Sequence, residues 1–211
     1  AAIDAEAGPA DIRISNNDCH ELSADSAQFS YVAAPIVTSV SPRVGPVGGG
    51  TVVTILGSGF FESPQLECRF GMTSVAATFV SATELRCLVP DLAAGVLDVT
   101  VSTNGVDASA ASAAATFEAV VRPRVLGISP TSGPAAGGTT IVVSTQGLDE
   151  EDDVACRFGG VGGDIVVATS VSESSFACVS PQHAATTVTV EVSNNGQDYT
   201  ADAAQFTFVP A

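Results

Sequence analysis

The feature that most constrains this chain is that it repeats itself. The segment from Pro35, PIVTSVSPRVGPVGGGTVVTILGSGF, returns from Pro123 as PRVLGISPTSGPAAGGTTIVVSTQGL. Pro42 maps onto Pro130, Thr51 onto Thr139 and Cys68 onto Cys156, each at an offset of 88 residues. Phe29, Phe117 and Phe206 close their segments 88 and 89 residues apart. Upstream, ISNNDCHELSADSAQFSYV (14–32) matches VSNNGQDYTADAAQFTFV (192–209). A fixed long period means one structural unit used more than once. The expected division is residues 1–33 as the C-terminal hairpin of a preceding, incomplete repeat, with 34–121 and 122–211 as full repeats.

Inside each repeat the apolar pattern has a period of two. In QLECRFG, Leu66, Cys68 and Phe70 share one face of a strand while Glu67 and Arg69 share the other. TELRCLV repeats the alternation with Leu85, Cys87 and Val89. TVVTIL and TTIVVS are β-branched runs introduced by Gly-Gly turns. Asn104-Gly105 and Asn195-Gly196 lie between apolar runs and predict type I′ hairpin turns, which need positive φ at both central residues. The 20 Gly and 11 Pro punctuate the chain too often for long helices. With no Trp, the core must come from Val, Ile, Leu, Ala and a few Phe. Short strands with frequent turns make this an all-β chain of sandwiches. Only a handful of residues separate Phe117 from Pro123, which predicts a stiff rod of beads.

The pattern P-x-V-x-x-x-S-P-x-x-G-P-x-G-G-G-T-x-V-T-I-x-G-x-G-F, followed by C-R-F-G and a second Cys, resembles the IPT/TIG family. These are immunoglobulin-like folds shared by plexins, rel-type transcription factors and many large cell-surface proteins. The first repeat carries the pattern at Ser41, Pro42, Gly45, Gly49, Gly50, Thr51, Gly57, Gly59 and Phe60. The second departs from it with Thr145, Gln146 and Leu148 in place of Gly57, Ser58 and Phe60. The resemblance implies tandem immunoglobulin-like β-sandwiches. It says less about function, because one fold hosts many activities.

Four of the five cysteines form repeat-equivalent pairs, Cys68 with Cys87 and Cys156 with Cys178, on inward positions of two strands. The same placement in two repeats, and the habit of extracellular members of the family, imply one disulfide per repeat. Free buried thiols are the alternative. Zinc fits poorly, since no C-x-x-C pair occurs and His20 and His183 lie far from the cysteines in sequence. Disulfides imply an oxidising compartment, hence an extracellular or cell-surface protein. Cys19 is left over in the turn of the partial repeat, and it is expected to reach a partner in another segment or another molecule.

Chemistry has few candidates. No G-x-S-x-G elbow occurs, and neither histidine has a repeat-equivalent partner that would build a triad. The Gly-rich SPRVGPVGGGT lacks the G-K-[ST] ending of a phosphate loop and leads into a strand. No catalytic residue and no cofactor are expected, and the chain is read as a non-enzyme. The acidic run holding Asp149, Glu150, Glu151, Asp152 and Asp153 is the one place a calcium ion could sit, with Asp149, Glu151, Asp152 and Asp153 as candidate ligands. A solvated loop is the plainer reading. A net charge of −16, with seven Arg and no Lys, argues against nucleic acid and anionic membrane as partners. No stretch of about 20 apolar residues is present to insert in a bilayer. Residue 1 reads as the interior of a domain, so targeting signals are expected outside this chain.

These readings converge on a structural or adhesive module whose repeats act as spacers and protein–protein contact surfaces. The expected partners are neighbouring repeats of the same or another copy, with other surface proteins as further candidates. A plexin-like receptor stalk is the first alternative, and a carbohydrate-associated module of a secreted enzyme the second. Residues 1–33 are expected to form one strand through Asp11, Ile12, Arg13 and Ile14, a turn at Asn16-Asn17 and a second strand through Phe29 and Tyr31. They are expected to be completed by other strands, in cis or in trans, because a lone hairpin is marginal in water.

Overall fold

In a computed structural model, residues 8–147, 154–172, 174–202 and 204–210 are described. All the regular structure among them is β. A hairpin comes first, β1 (Gly8–Ile12) against β2 (Ala27–Tyr31). The first sandwich contains β3 (Ile36–Ser41), β4 (Val44–Pro46), β5 (Val52–Ser58), β6 (Glu67–Phe70), β7 (Thr73–Ser81), β8 (Glu84–Leu88), β9 (Gly95–Ser102) and β10 (Thr116–Val120). The second contains β11 (Arg124–Ser129), β12 (Ser132–Pro134), β13 (Thr140–Gln146), β14 (Ala155–Phe158), β15 (Asp164–Val167), β16 (Ser170–Ser172), β17 (Ser175–Val179), β18 (Thr187–Ser193) and β19 (Ala204–Val209). The chain is all-β and built as tandem immunoglobulin-like sandwiches, as the alternating pattern requires.

Each sandwich has its own core. Leu66, Cys68 and Phe70 are buried together with Leu85, Cys87 and Val89, on the faces that the period-two pattern assigns inward. Phe70 meets Phe117 edge-on at 5.7 Å, and the equivalent Phe158 and Phe206 meet at 6.2 Å. Cys68–Cys87 ties β6 to β8, and Cys156–Cys178 ties β14 to β17, so one disulfide staples the two faces of each sandwich. Both first strands break at Ser-Pro: Ser41-Pro42 and Ser129-Pro130 are cis. The short segment that follows each break crosses to the last strand of its sandwich, β4 running parallel to β10 and β12 parallel to β19.

One strand is treated differently in the two sandwiches. β7 is nine residues long and pairs with β6 through its first half and with β8 through its second, so the first sandwich closes into one sheet of eight strands. In the second, the same stretch is divided into β15, paired with β14, and β16, paired with β17. Two separate sheets of four and five strands result.

Two local expectations are corrected. The Asn-Gly pairs do not form type I′ turns, because positive φ is confined to Gly105 and Gly196. Their loops are also longer than two residues, and asparagine acts through its side chain, as described below. Ile14 lies beyond the end of β1. It bonds through its backbone to Ser23 within a turn whose amides are held by Ser15 and Asn17 side chains.

Candidate inter-repeat interface

Seven residues after Ser102 and Ser193 the chain re-enters register, and the intervening turn is built alike in both sandwiches. Asn104 Oδ1 accepts from the amides of Val106 at 3.0 Å and Asp107 at 2.8 Å, while its Nδ2 donates to Asp107 Oδ2 at 2.9 Å. Asn195 repeats every bond, to Gln197 N at 3.0 Å, Asp198 N at 2.8 Å and Asp198 Oδ2 at 2.8 Å. A side-chain carbonyl that takes two backbone amides imposes a turn without positive φ at asparagine. Gly105 and Gly196 then supply the single left-handed residue.

The turn of the second sandwich reaches the first. Asn195 Nδ2 donates to the Val44 carbonyl at 3.0 Å, and Thr51 Oγ1 donates to Asp198 Oδ2 at 2.7 Å. Gln197 brackets the Val52 backbone, Oε1 accepting its amide at 3.2 Å and Nε2 donating to its carbonyl at 3.0 Å. These partners lie 145 to 151 residues apart. The receiving corner is where β4 turns into β5, beside the end of β10 from which the chain passes to the second sandwich. Val47 N bonds Val120 O there. Four residues after Asp198, Asp202 pairs with Arg124 at the start of β11 at 3.1 Å. The exit end of one sandwich thus meets the entrance end of the next.

Charge is handled locally. The half-buried Asp198 carboxylate accepts from Thr51 and Asn195, so a neutral donor set replaces a cation in a chain with few to offer. Behind the turn, Arg157 bonds Glu191 through Nε at 2.7 Å and stands 4.0 Å over the Tyr199 ring. Burial pushes the Tyr199 phenol above its ordinary value; Arg157 pulls the other way and Glu191 adds to the rise.

The other residues singled out from the sequence fall elsewhere. Cys19 is exposed, carries no disulfide, and has φ of 67° in the hairpin turn. His183 stacks on Phe208 at 4.9 Å, and His20 is exposed. The candidate calcium ligands Asp149, Glu151, Asp152 and Asp153, with Glu150 between them, lie outside the described residues, as does Leu148. Among the described residues no group of three or more His, Cys, Asp or Glu is placed to hold a metal ion. No helix among them is long and apolar enough to cross a membrane. Sequence reasoning reads Thr51 as a pattern residue and Asn195 as a turn residue, and it misses the contact they make with Gln197 and Asp198. The available signal was the recurrence of Asn-Gly-x-Asp at 104–107 and 195–198, of which only the first two residues were read.

Comparison with known proteins agrees with this architecture. The IPT/TIG domain matches twice, at residues 35–119 and 123–208. Fibrocystin-L of Homo sapiens is 30% identical over 167 residues, covering 79% of this chain and 4% of that protein. Plexin-A3 of Homo sapiens is 32% identical over 124 residues, covering 54% of this chain and 6% of that protein. The chain therefore spans only a small part of the length of these relatives. Among solved structures, the full extracellular region of plexin A4 (domains 1 to 10) superposes with a TM-score of 0.59 at 16% identity, over 95% of this chain and 19% of that one. Two consecutive family matches on two sandwiches of one plan show that this chain belongs to the IPT/TIG domain family.

Proposed function

We propose that the chain is a spacer and protein-contact module of an extracellular or cell-surface multi-repeat protein, and that it catalyses nothing. The observation that carries this is the joint: the second sandwich is seated end to end on the first by Asn195, Gln197 and Asp198. Two disulfides fit the oxidising compartment such a protein occupies. A plexin-like stalk remains a specific form of the same reading, supported by the two plexin similarities. A carbohydrate module draws less support, because the chain has no Trp and Tyr199 lies under Arg157.

Residues 1–33 fit the same scheme as the last hairpin of a preceding repeat. Ala10 faces Phe29, as Leu97 faces Phe117 and Val188 faces Phe206. Phe117 and Phe206 are fully buried, whereas Phe29 is 48% exposed. Ile12 and Tyr31, which lie on the same face of that hairpin, are exposed as well, and so is Ile14 just beyond it. This is the apolar face that the missing strands of a sandwich would cover, and the neighbouring repeat that supplies them is the partner the reading implies.

Small-angle X-ray scattering of residues 1–211 tests the spacer reading. It requires an elongated particle, about two sandwiches in length. A compact particle with the sandwiches folded side by side contradicts it.

A further inference from the structure

We propose that the exposed corner of the second sandwich, between β12 and β13, is a docking site for a further repeat of this type, and that it receives that repeat by an Asn-Gly-x-Asp turn. The inference rests on the spacer reading and names the contact that would propagate the array. It comes from comparing two copies of one socket and two copies of one plug within this chain.

The sockets share their framework. β12 pairs with β19 (Ser132 with Thr207) as β4 pairs with β10 (Val44 with Glu118). A side chain at Gly45 would come within 2.8 Å of the Phe117 ring, and one at Gly133 within 3.0 Å of the Phe206 ring, so both corners have the same tight backing. The carbonyl that accepts Asn195 belongs to Val44, and its equivalent is that of Ser132. The hydroxyl that donates to Asp198 belongs to Thr51, and its equivalent is Thr139. What differs is cover. Val44, Pro46, Gly49 and Thr51 are buried; Ser132 and Pro134 are exposed, and Gly137 and Thr139 are half-buried. The first corner owes its burial to the turn seated on it.

The plugs show the same contrast. Asn104 and Asp107 hold the bonding pattern of Asn195 and Asp198, yet Asn104 and Asp107 are exposed where Asn195 is 5% exposed and Asp198 is half-buried. The plug of the first sandwich is thus formed before any partner seats it, so little order need be lost on docking. Val106 replaces Gln197, which leaves the asparagine and the aspartate to make the contact. The turn at 16–21 is not a third plug, because Asp18 and His20 stand where Gly196 and Asp198 do.

A test can keep the native spacing. Six residues lead from Phe29 to Pro35 and from Phe117 to Pro123. Joining residues 35–121 directly after Ala211 reproduces that interval from Phe206. Backbone residual dipolar couplings of this three-sandwich chain should then fit one alignment tensor across the second and third sandwiches, as across the first and second. Asn104→Ala with Asp107→Ala in the appended copy, or Thr139→Val in the socket, should each release the third sandwich alone. Amide shifts of the appended copy matching those of the first sandwich would show that it remains folded. A third sandwich that moves independently in the parent chain, while the first two stay coupled, overturns the docking proposal. Coupling that survives the substitutions overturns the assigned residues. If the first two sandwiches also move independently, the spacer reading fails with it.

Discussion

The two sandwiches share cores, disulfides and turns, but differ at their ends and along one edge. The corner of the first is buried by its neighbour, and the same corner of the second is open. The turn of the second is seated, and the same turn of the first is exposed. The cysteines and the phenylalanine pair of each core are copied, whereas Leu85 and Ala119 of the first give way to Phe176 and Phe208 in the second, so the apolar character is kept while the volume is redistributed. The Asn-Gly-x-Asp turn is also copied; it closes the same loop in both sandwiches, and in the second it also reaches the neighbour. Burial at the corner therefore belongs to the array and not to the individual fold. The split of β7 into β15 and β16 is a difference of another kind, an edge relaxed where the second repeat departs from the family pattern nearby.

The largest effect expected is on the three repeat-equivalent phenylalanines. Phe117→Ala should cost the first sandwich about 3–5 kcal/mol, and Phe206→Ala should cost the second the same. Phe29→Ala, at a half-exposed position, should change stability far less. Urea unfolding followed by NMR, which reads the sandwiches separately, checks all three; a large loss from Phe29→Ala would mean that the hairpin packs on its own chain.

Next come the disulfides. The bridged residues lie 19 and 22 positions apart, so replacing either pair by alanine should destabilise its own sandwich by roughly 3 kcal/mol. Calorimetry of the two variants sharpens the comparison: similar losses are expected from loops of similar length, and a large inequality would contradict the loop-entropy account.

Smaller is the cost of loosening the joint. Removing the Thr51-to-Asp198 bond with Asp198→Ala should weaken sandwich-to-sandwich coupling by about 1.5–3 kcal/mol, the range for hydrogen bonds to charged groups. Asp107→Ala, at the unseated turn, should stay within about 0.5 kcal/mol. Amide exchange at Val52, whose N–H is held by Gln197, reads the difference.

The smallest effect concerns pH. Tyr199 is the only tyrosine of the two full sandwiches. Its folded phenol holds its proton more tightly than the unfolded chain does, whose value is 10.0. The unfolded state then releases a proton that the folded state keeps, so stability present below pH 10 falls as pH climbs through that region. The second sandwich should lose urea resistance there before the first, and Tyr199→Phe should remove the difference.

Much of the fold was legible in the sequence because strand alternation is local: Leu66, Cys68 and Phe70 declare an inward face without knowledge of anything distant. The cysteine pairs were legible for the same reason, helped by their repetition. The joint was not. Asn195 and Asp198 look like turn residues, and so they are; what gives them a second role is a carbonyl and a hydroxyl about 150 residues upstream. The type I′ assignment failed because Asn-Gly was read for its backbone alone, whereas the side chain of Asn104 or Asn195 already supplies the turn. Ile14 reads as the end of the strand through Ile12, but its backbone bonds Ser23 instead, within a turn whose Cys19 and Glu21 amides are held by Ser15 and Asn17.

The central claim is that Asn195, Gln197 and Asp198 lock two sandwiches into one body. Nitrogen-15 relaxation of the wild-type chain, residue by residue, measures this most directly. The account predicts one rotational diffusion tensor for residues 35–120 and 124–209, and two distinct tensors once Asn195 and Asp198 are both replaced by alanine. Two independently tumbling sandwiches in the wild-type chain would contradict it.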